Sequence, residues 1–306
     1  MIAHDFYLTD QPDAFDRLAA PACGPERLAL SIAGMDVELC GLEPAQLEVA
    51  RREYGTVIAG APSSRPLLFA MRAAPPGWFR NPDLHGTEYR IALSHDASGA
   101  WLSGQSFVAR LTRGSVPSMA LWVEPSRLAA FEGALVNALR LLVAHALHAH
   151  GGLVLHSAAI ESAGRAFVFF GPSGVGKTTL SRLSASQGRS VISDELNALV
   201  RTANGFAVLA LPFAGDFGRT PIRRAPVPLA GLFRLRQGPS HALGQLSQAS
   251  AIAALIAACP YINADPLAGT TLMSRALELA DSCPPAQLWF ALDHGFWRLV
   301  QAEFPV

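Results

Sequence analysis

Gly171-Pro172-Ser173-Gly174-Val175-Gly176-Lys177-Thr178 follows the apolar run Ala166-Phe167-Val168-Phe169-Phe170 and leads into Thr179-Leu180-Ser181-Arg182-Leu183. The apolar run reads as a fully buried strand, and Lys177 to Ser186 reads as a helix that stops at Gln187-Gly188. Glycines at 171, 174 and 176 allow backbone N–H groups to converge on one point, to which the helix N-terminus adds its positive end. That arrangement suits phosphate oxygens. The order strand, loop, helix therefore predicts an α/β domain that binds a nucleoside triphosphate, with ATP and Mg²⁺ as cofactors. The expected binding residues are Gly171, Pro172, Ser173, Gly174, Val175, Gly176, Lys177, Thr178 and Thr179. Lys177 is expected to reach the β- and γ-phosphates, and the Thr178 hydroxyl to ligate the metal.

The composition singles out the same lysine. Of 24 basic residues 23 are arginine, and Lys177 is the one lysine of the chain. A slim ammonium fits between two phosphates where the wide guanidinium fork does not, which accounts for a lysine at this position. The 24 basic residues are balanced by 24 acidic ones, so bulk charge supplies no footprint for nucleic acid or for an anionic membrane. Half of the 306 residues are hydrophobic, enough to build two cored domains. Cys23, Cys40, Cys259 and Cys283 are widely spaced and form no disulfide or zinc pattern. The N-terminus, Met-Ile-Ala-His-Asp-Phe-Tyr, lacks the form of a signal peptide. The most apolar span, Leu135 to Ala149, carries Arg140, His145 and His148 and reads as too short to cross a bilayer. A soluble, cytoplasmic protein is expected, with a homo-oligomer compatible with the sequence.

Working outward from the loop, Ser190 to Ser193 reads as a strand with Asp194 and Glu195 at its end, 17 residues beyond Lys177. If this strand lies parallel and adjacent to the one before the loop, the acidic pair falls beside the metal. There Asp194 could hold Mg²⁺ together with Thr178, or accept a proton from an attacking hydroxyl. Upstream, Leu153 to Ile160 reads as a strand bearing His156, and Ser126 to His150 as a long apolar helix closed by Gly151-Gly152. Before that, Leu28–Ile32, Glu88–Leu93 and Met119–Val123 read as strands and Pro44–Tyr54 as a short helix. The change of character places a domain boundary near residue 125, giving residues 1–125 and 126–306. Beyond the acidic pair, Leu211 to Arg219 with Arg223 and Arg224 forms a Gly/Pro/Arg-rich loop, from which Arg219 could neutralise phosphoryl charge. Helices are expected over 249–258 and 269–280, a strand over 289–293 and a last helical turn over 296–300.

His156-Ser157-Ala158-Ala159-Ile160, the glycine loop and Ser193-Asp194-Glu195, at these spacings, resemble the catalytic domain of HPr kinase/phosphorylase. The resemblance implies a P-loop kinase domain of the HPr kinase type behind a smaller α/β N-terminal domain. It implies that His156 sits near the transferring phosphate and that Asp194 acts as acid/base, with Glu195 in place of a second aspartate. The Glu-x-Arg-Gly-x-Gly signature of true HPr kinases is missing. The chain thus looks more like HPr-kinase-related proteins that phosphorylate a serine of a precursor peptide. The expected function is transfer of the γ-phosphoryl group of ATP to a hydroxyl, on a serine of a peptide or small protein. The catalytic residues would be Asp194, His156, Lys177, Glu195 and Arg219. A small-molecule kinase and a nucleotide-gated binding protein are the alternatives.

Overall fold

A computed structural model describes residues 15, 18, 20–61, 63–79, 91–104 and 106–304. The N-terminal heptapeptide and the first half of the expected strand at 88–93 lie outside the described residues. The protein is a mixed α/β chain with two sheets and, among the described residues, six α-helices. It divides into two compact units, Met1–Ala146 and Leu147–Val306. The division falls within a long helix, well past the residue 125 expected from the change in sequence character.

In the first unit β1 (Glu26–Ile32), β2 (Met35–Leu42), β3 (Leu67–Ala73), β4 (Ala92–Asp96), β5 (Gly99–Gly104), β6 (Phe107–Thr112) and β7 (Ser118–Val123) form one sheet in the order β1-β2-β3-β7-β6-β5-β4. Helix α1 (Pro44–Tyr54) makes the crossover between the parallel strands β2 and β3. Proline opens its first turn, and the Gln46 side chain accepts from the Glu43 N–H at 3.0 Å. An aromatic cluster of Phe15, Phe79, Trp101 and Trp122 fills part of this unit's core.

Helix α2 (Leu128–Ala149) is 22 residues long, longer than the apolar span expected from the sequence, and by length and composition it could cross a membrane. Most of its apolar window is buried, with Leu135, Leu139, Leu142 and Ala146 inaccessible to solvent, as in a core helix apolar on all sides.

The second unit contains β8 (Leu153–Ser162), β9 (Arg165–Phe170), α3 (Lys177–Ala185), β10 (Ser190–Ser193), β11 (Leu196–Thr202), β12 (Gly205–Ala210), β13 (Val227–Gln237), β14 (Ala242–Gln245), α4 (Gln248–Ala257), α5 (Gly269–Ser282), β15 (Ala286–Phe290) and α6 (Phe296–Glu303). Strand β15 thus ends at Phe290, three residues before the expected end, and the segment to Asp293 belongs to the following loop. Strands β9, β13 and β15 run parallel, so their carboxyl ends share one edge, where the glycine loop emerges. Their core is aromatic: Phe167, Phe169, Phe233, Phe290, Phe296 and Trp297 pack in one cluster with Leu180 of α3.

Strand β8 organises the site. One edge pairs antiparallel with β9, Ser157 facing Phe170, the last residue before the loop. The other edge pairs antiparallel with β10 and then β11, in the register Val191 to Ile160, Ser193 to Ala159 and Leu196 to His156. Asp194 and Glu195 fall in the break between these two ladders. Strands β9 and β10 are therefore parallel to each other, but they are not the adjacent neighbours expected; β8 lies between them. Two strand spacings, about 10 Å, separate the two edges. Helix α3 closes that gap by packing over both β8 and β10.

Candidate functional site

The break in the ladder is held open by specific bonds. The Ser157 N–H donates to the Glu195 carbonyl at 3.1 Å, and the Glu195 N–H donates to Ser193 Oγ at 3.1 Å. Behind them the buried Asn197 amide donates to the Ser157 carbonyl at 2.8 Å. Two consecutive acidic side chains are thereby lifted out of regular alternation at the end of β10. On the other side of β8 the loop is shaped by Gly174 (φ 76°) and Gly176 (φ 109°), left-handed conformations that residues with a Cβ avoid. The Gln237 side chain of β13 donates to the Gly174 carbonyl at 3.1 Å and ties down the loop's outer turn.

A polar cleft of about 790 Å³ lies over this edge. His156, Ser173, Gly174, Gly176, Lys177, Thr178, Thr179, Asp194 and Glu195, all expected from the sequence, line it together with Arg182 and Asp216. Thr178 Oγ1 donates to Asp194 Oδ2 at 2.8 Å, and the Phe217 N–H donates to the same oxygen at 2.9 Å. Asp194 is only 3% exposed. Glu195 is more open, and its Oε2 stands 3.8 Å from His156 Nε2, within ion-pair range. Lys177 does not lie in a solvent-filled space as a free loop lysine would. It is 6% exposed and donates to the carbonyls of Gly171 and Pro172, both at 3.2 Å. Burial lowers its pKa from the ordinary lysine value, and the carboxylates of Glu195 and Asp194 oppose that shift.

These groups have complementary chemistry. Adjacent corners of an octahedral Mg²⁺ shell with bonds of 2.0–2.1 Å are about 2.9 Å apart. The 2.8 Å between Thr178 Oγ1 and Asp194 Oδ2 already has that spacing, so this pair fits a small hard cation. The first N–H groups of α3 lack acceptors within the helix and face the same cleft.

The arginine loop departs from expectation. Its start reaches the cleft, but Thr220 then donates to the Ile192 carbonyl at 2.6 Å, and Arg223 pairs with Glu161 at the β8–β9 turn. Glu161 lies toward the opposite end of the β8–β9 ladder from Ser157, so Arg223 is directed away from the glycine loop. Arg219 is exposed and is not among the residues lining the cleft. The cleft cation that sequence reasoning missed is Arg182, four residues after Thr178 on the same helix face, a spacing that could have disclosed it. The sequence signal for Asp216 was the turn pattern Gly215-Asp216-Phe217-Gly218.

The site thus defined is a strand–glycine loop–helix edge with an acidic pair and a histidine in a mixed α/β protein. The sequence profile described as SynChlorMet cassette protein ScmC matches residues 131–301, more than half of the chain. The chain belongs to that family. No curated protein matches it. The match corrects the likeness to HPr kinase/phosphorylase: the family is ScmC and not an HPr kinase family. The likeness rested on a few short motifs whose spacing follows from strand and helix geometry, and such motifs do not distinguish families that share the geometry.

Gly215 generates a first prediction. A Cβ there would lie 2.5 Å from Asp194 Oδ1 and 3.0 Å from the Glu195 Cβ. Gly215→Ala must therefore move the carboxylate or the turn, and a destabilisation of about 1–3 kcal/mol is expected. Thermal unfolding measures it; a melting curve identical to that of the wild type would show that the close approach is dispensable.

Proposed function

We propose that the second unit binds ATP with Mg²⁺ on residues 171–178 and transfers the γ-phosphoryl group to a hydroxyl, on a serine of a peptide or small protein. The observation that carries this reading is the convergence of Lys177, the Thr178–Asp194 pair and the His156–Glu195 pair on one cleft. In the reaction the acceptor oxygen bonds to the γ-phosphorus as the bond to the β-phosphate oxygen breaks. ADP leaves and the hydroxyl proton passes to a carboxylate.

The two carboxylates suit different halves of this chemistry. Asp194 is buried and bonded to Thr178 and to a backbone N–H, which holds its carboxylate in one orientation, as a metal ligand requires. Thr178 and Asp194 would hold Mg²⁺, and the ion when bound would supply neutralisation of phosphate charge. Glu195 is more accessible and faces His156, which can share or relay the proton it takes. Lys177 would exchange its two loop carbonyls for phosphate oxygens, which would give a buried ammonium directly bonded anionic partners. Arginines on the loop after Leu211 are a weaker support for a peptide acceptor than the sequence suggested, since Arg223 is engaged at the far end of β8. The cytoplasm, with its ATP, is the compartment this reading requires.

The direct test is incubation with ATP, Mg²⁺ and a panel of serine-containing peptides and hydroxylated metabolites, followed by mass spectrometry. A gain of about 80 Da on a peptide is expected. Modification of metabolites alone would overturn the peptide assignment, and absence of any ATP binding would overturn the whole reading.

Lys177→Ala should lose nucleotide affinity and turnover while keeping its fold, checked by calorimetry and circular dichroism; undiminished turnover would rule out a phosphate-binding lysine. The carboxylates should separate in kinetics. Glu195→Gln is expected to lower kcat about a hundredfold or more with ATP affinity retained. Asp194→Asn should instead abolish the Mg²⁺ enhancement of ATP binding. The reverse pattern would exchange the two roles.

A further inference from the structure

The turn Gly215–Gly218 lies over Asp194 and is anchored at several points. The Gly218 N–H donates to the Gly215 carbonyl at 3.0 Å and closes the turn, and the Phe217 side chain packs against the aromatic core of the unit. The remaining anchors act on one peptide group. The Asp216 carbonyl accepts from Arg182 Nη2 at 3.1 Å, and the Phe217 N–H donates to Asp194 Oδ2 at 2.9 Å. The carbonyl and N–H of a trans peptide point in opposite directions, so Arg182 and Asp194 hold the two ends of a single planar unit. A guanidinium on the carbonyl also polarises the group and makes its N–H a stronger donor to the carboxylate. Arg182 can reach this turn because helical side chains lean toward the helix N-terminus, which brings a residue at 182 back over Thr178.

We propose that Arg182 is a positioning residue: through the Asp216–Phe217 peptide it fixes the Asp194 carboxylate with Oδ2 toward Thr178, and so sets the affinity of the nucleotide site for Mg²⁺ more than its affinity for the nucleotide itself. The proposal rests on the reading that residues 171–178 bind Mg·ATP, and it adds a residue that the glycine-loop pattern does not contain. Three features make the device local. Gly215 has no side chain to obstruct the approach, Asp194 is buried so that its orientation is set by few partners, and Arg182 is exposed so that its removal leaves no core cavity. The Asp216 carboxylate, carried on the same peptide, would share the change because it lines the same cleft.

The experiment is ATP binding by calorimetry in EDTA and across a Mg²⁺ titration, for the wild type, Arg182→Ala, Arg182→Gln and Arg182→Lys. Partners that orient metal ligands are worth about 10–100-fold in metal affinity, so Arg182→Ala should raise the half-saturating Mg²⁺ concentration by at least about tenfold. Because Arg182 also lines the cleft, any fall in ATP affinity in EDTA should be clearly smaller than the shift in Mg²⁺ dependence. Arg182→Lys, whose ammonium can donate to the same carbonyl, should recover part of the loss, and Arg182→Gln less because it lacks the charge. An unchanged Mg²⁺ dependence in Arg182→Ala, or an equal loss with and without Mg²⁺, would overturn the inference while leaving the ATP site standing. A wild type that binds no ATP at any Mg²⁺ concentration would overturn the parent reading and this one together.

Discussion

Strand β8 pairs along both edges, and the arrangement of the cleft follows from that constraint. One edge fixes the strand that launches the glycine loop; the other fixes the strand that ends in Asp194-Glu195. Because the ladder on the second edge is broken at the acidic pair, two consecutive carboxylates leave the sheet at the level of Phe170, where the loop begins. A regular antiparallel pairing would have sent them to opposite faces. The buried Asn197 amide, bonded to Ser157, supports the strand at this point, and the His156 N–H donates to the Ala258 carbonyl at 2.8 Å. The site is thus assembled on both sides of one strand, from the glycine loop and from the break in the ladder.

Within that frame the electrostatics are divided. Lys177 is the only basic group embedded in the loop, and it is held on two carbonyls rather than on a carboxylate. Burial lowers its pKa from the ordinary lysine value, and Glu195 and Asp194 across β8 oppose that shift. Asp194 is bonded to Thr178 and Phe217, and Glu195 is near His156, so neighbouring acids meet different environments. Position in the broken ladder determines this difference; residue type alone would not predict it.

Membership of the ScmC family and the geometry of the cleft bear on different questions. The family match covers residues 131–301 and establishes relationship. The side chains that line the cleft all lie within the second unit, which the match spans almost entirely. The seven-stranded first unit has its own aromatic core, and its residues before 131 fall outside the match.

The sequence alone determined the elements that flank the loop and the loop residues. A buried apolar run entering a glycine-rich turn and a helix can take few conformations, so β9, the loop and α3 were legible from residues 165–186. Asp194 and Glu195 were legible as candidates because they end a strand 17 residues beyond Lys177, whereas His156, within a strand, stood out only through the family likeness that the ScmC match corrects. Tertiary structure decided what these residues do to one another. Sequence spacing suggested adjacent parallel strands, whereas β8 lies between them and pairs antiparallel with each. It also suggested that Arg223 faces the loop, but an ion pair with Glu161, 62 residues away in sequence, holds it at the far end of the strand. Nor could the sequence show that one peptide between Asp216 and Phe217 joins Arg182 to Asp194. Such a link depends on backbone orientation, which residue types do not specify until the chain has folded around them.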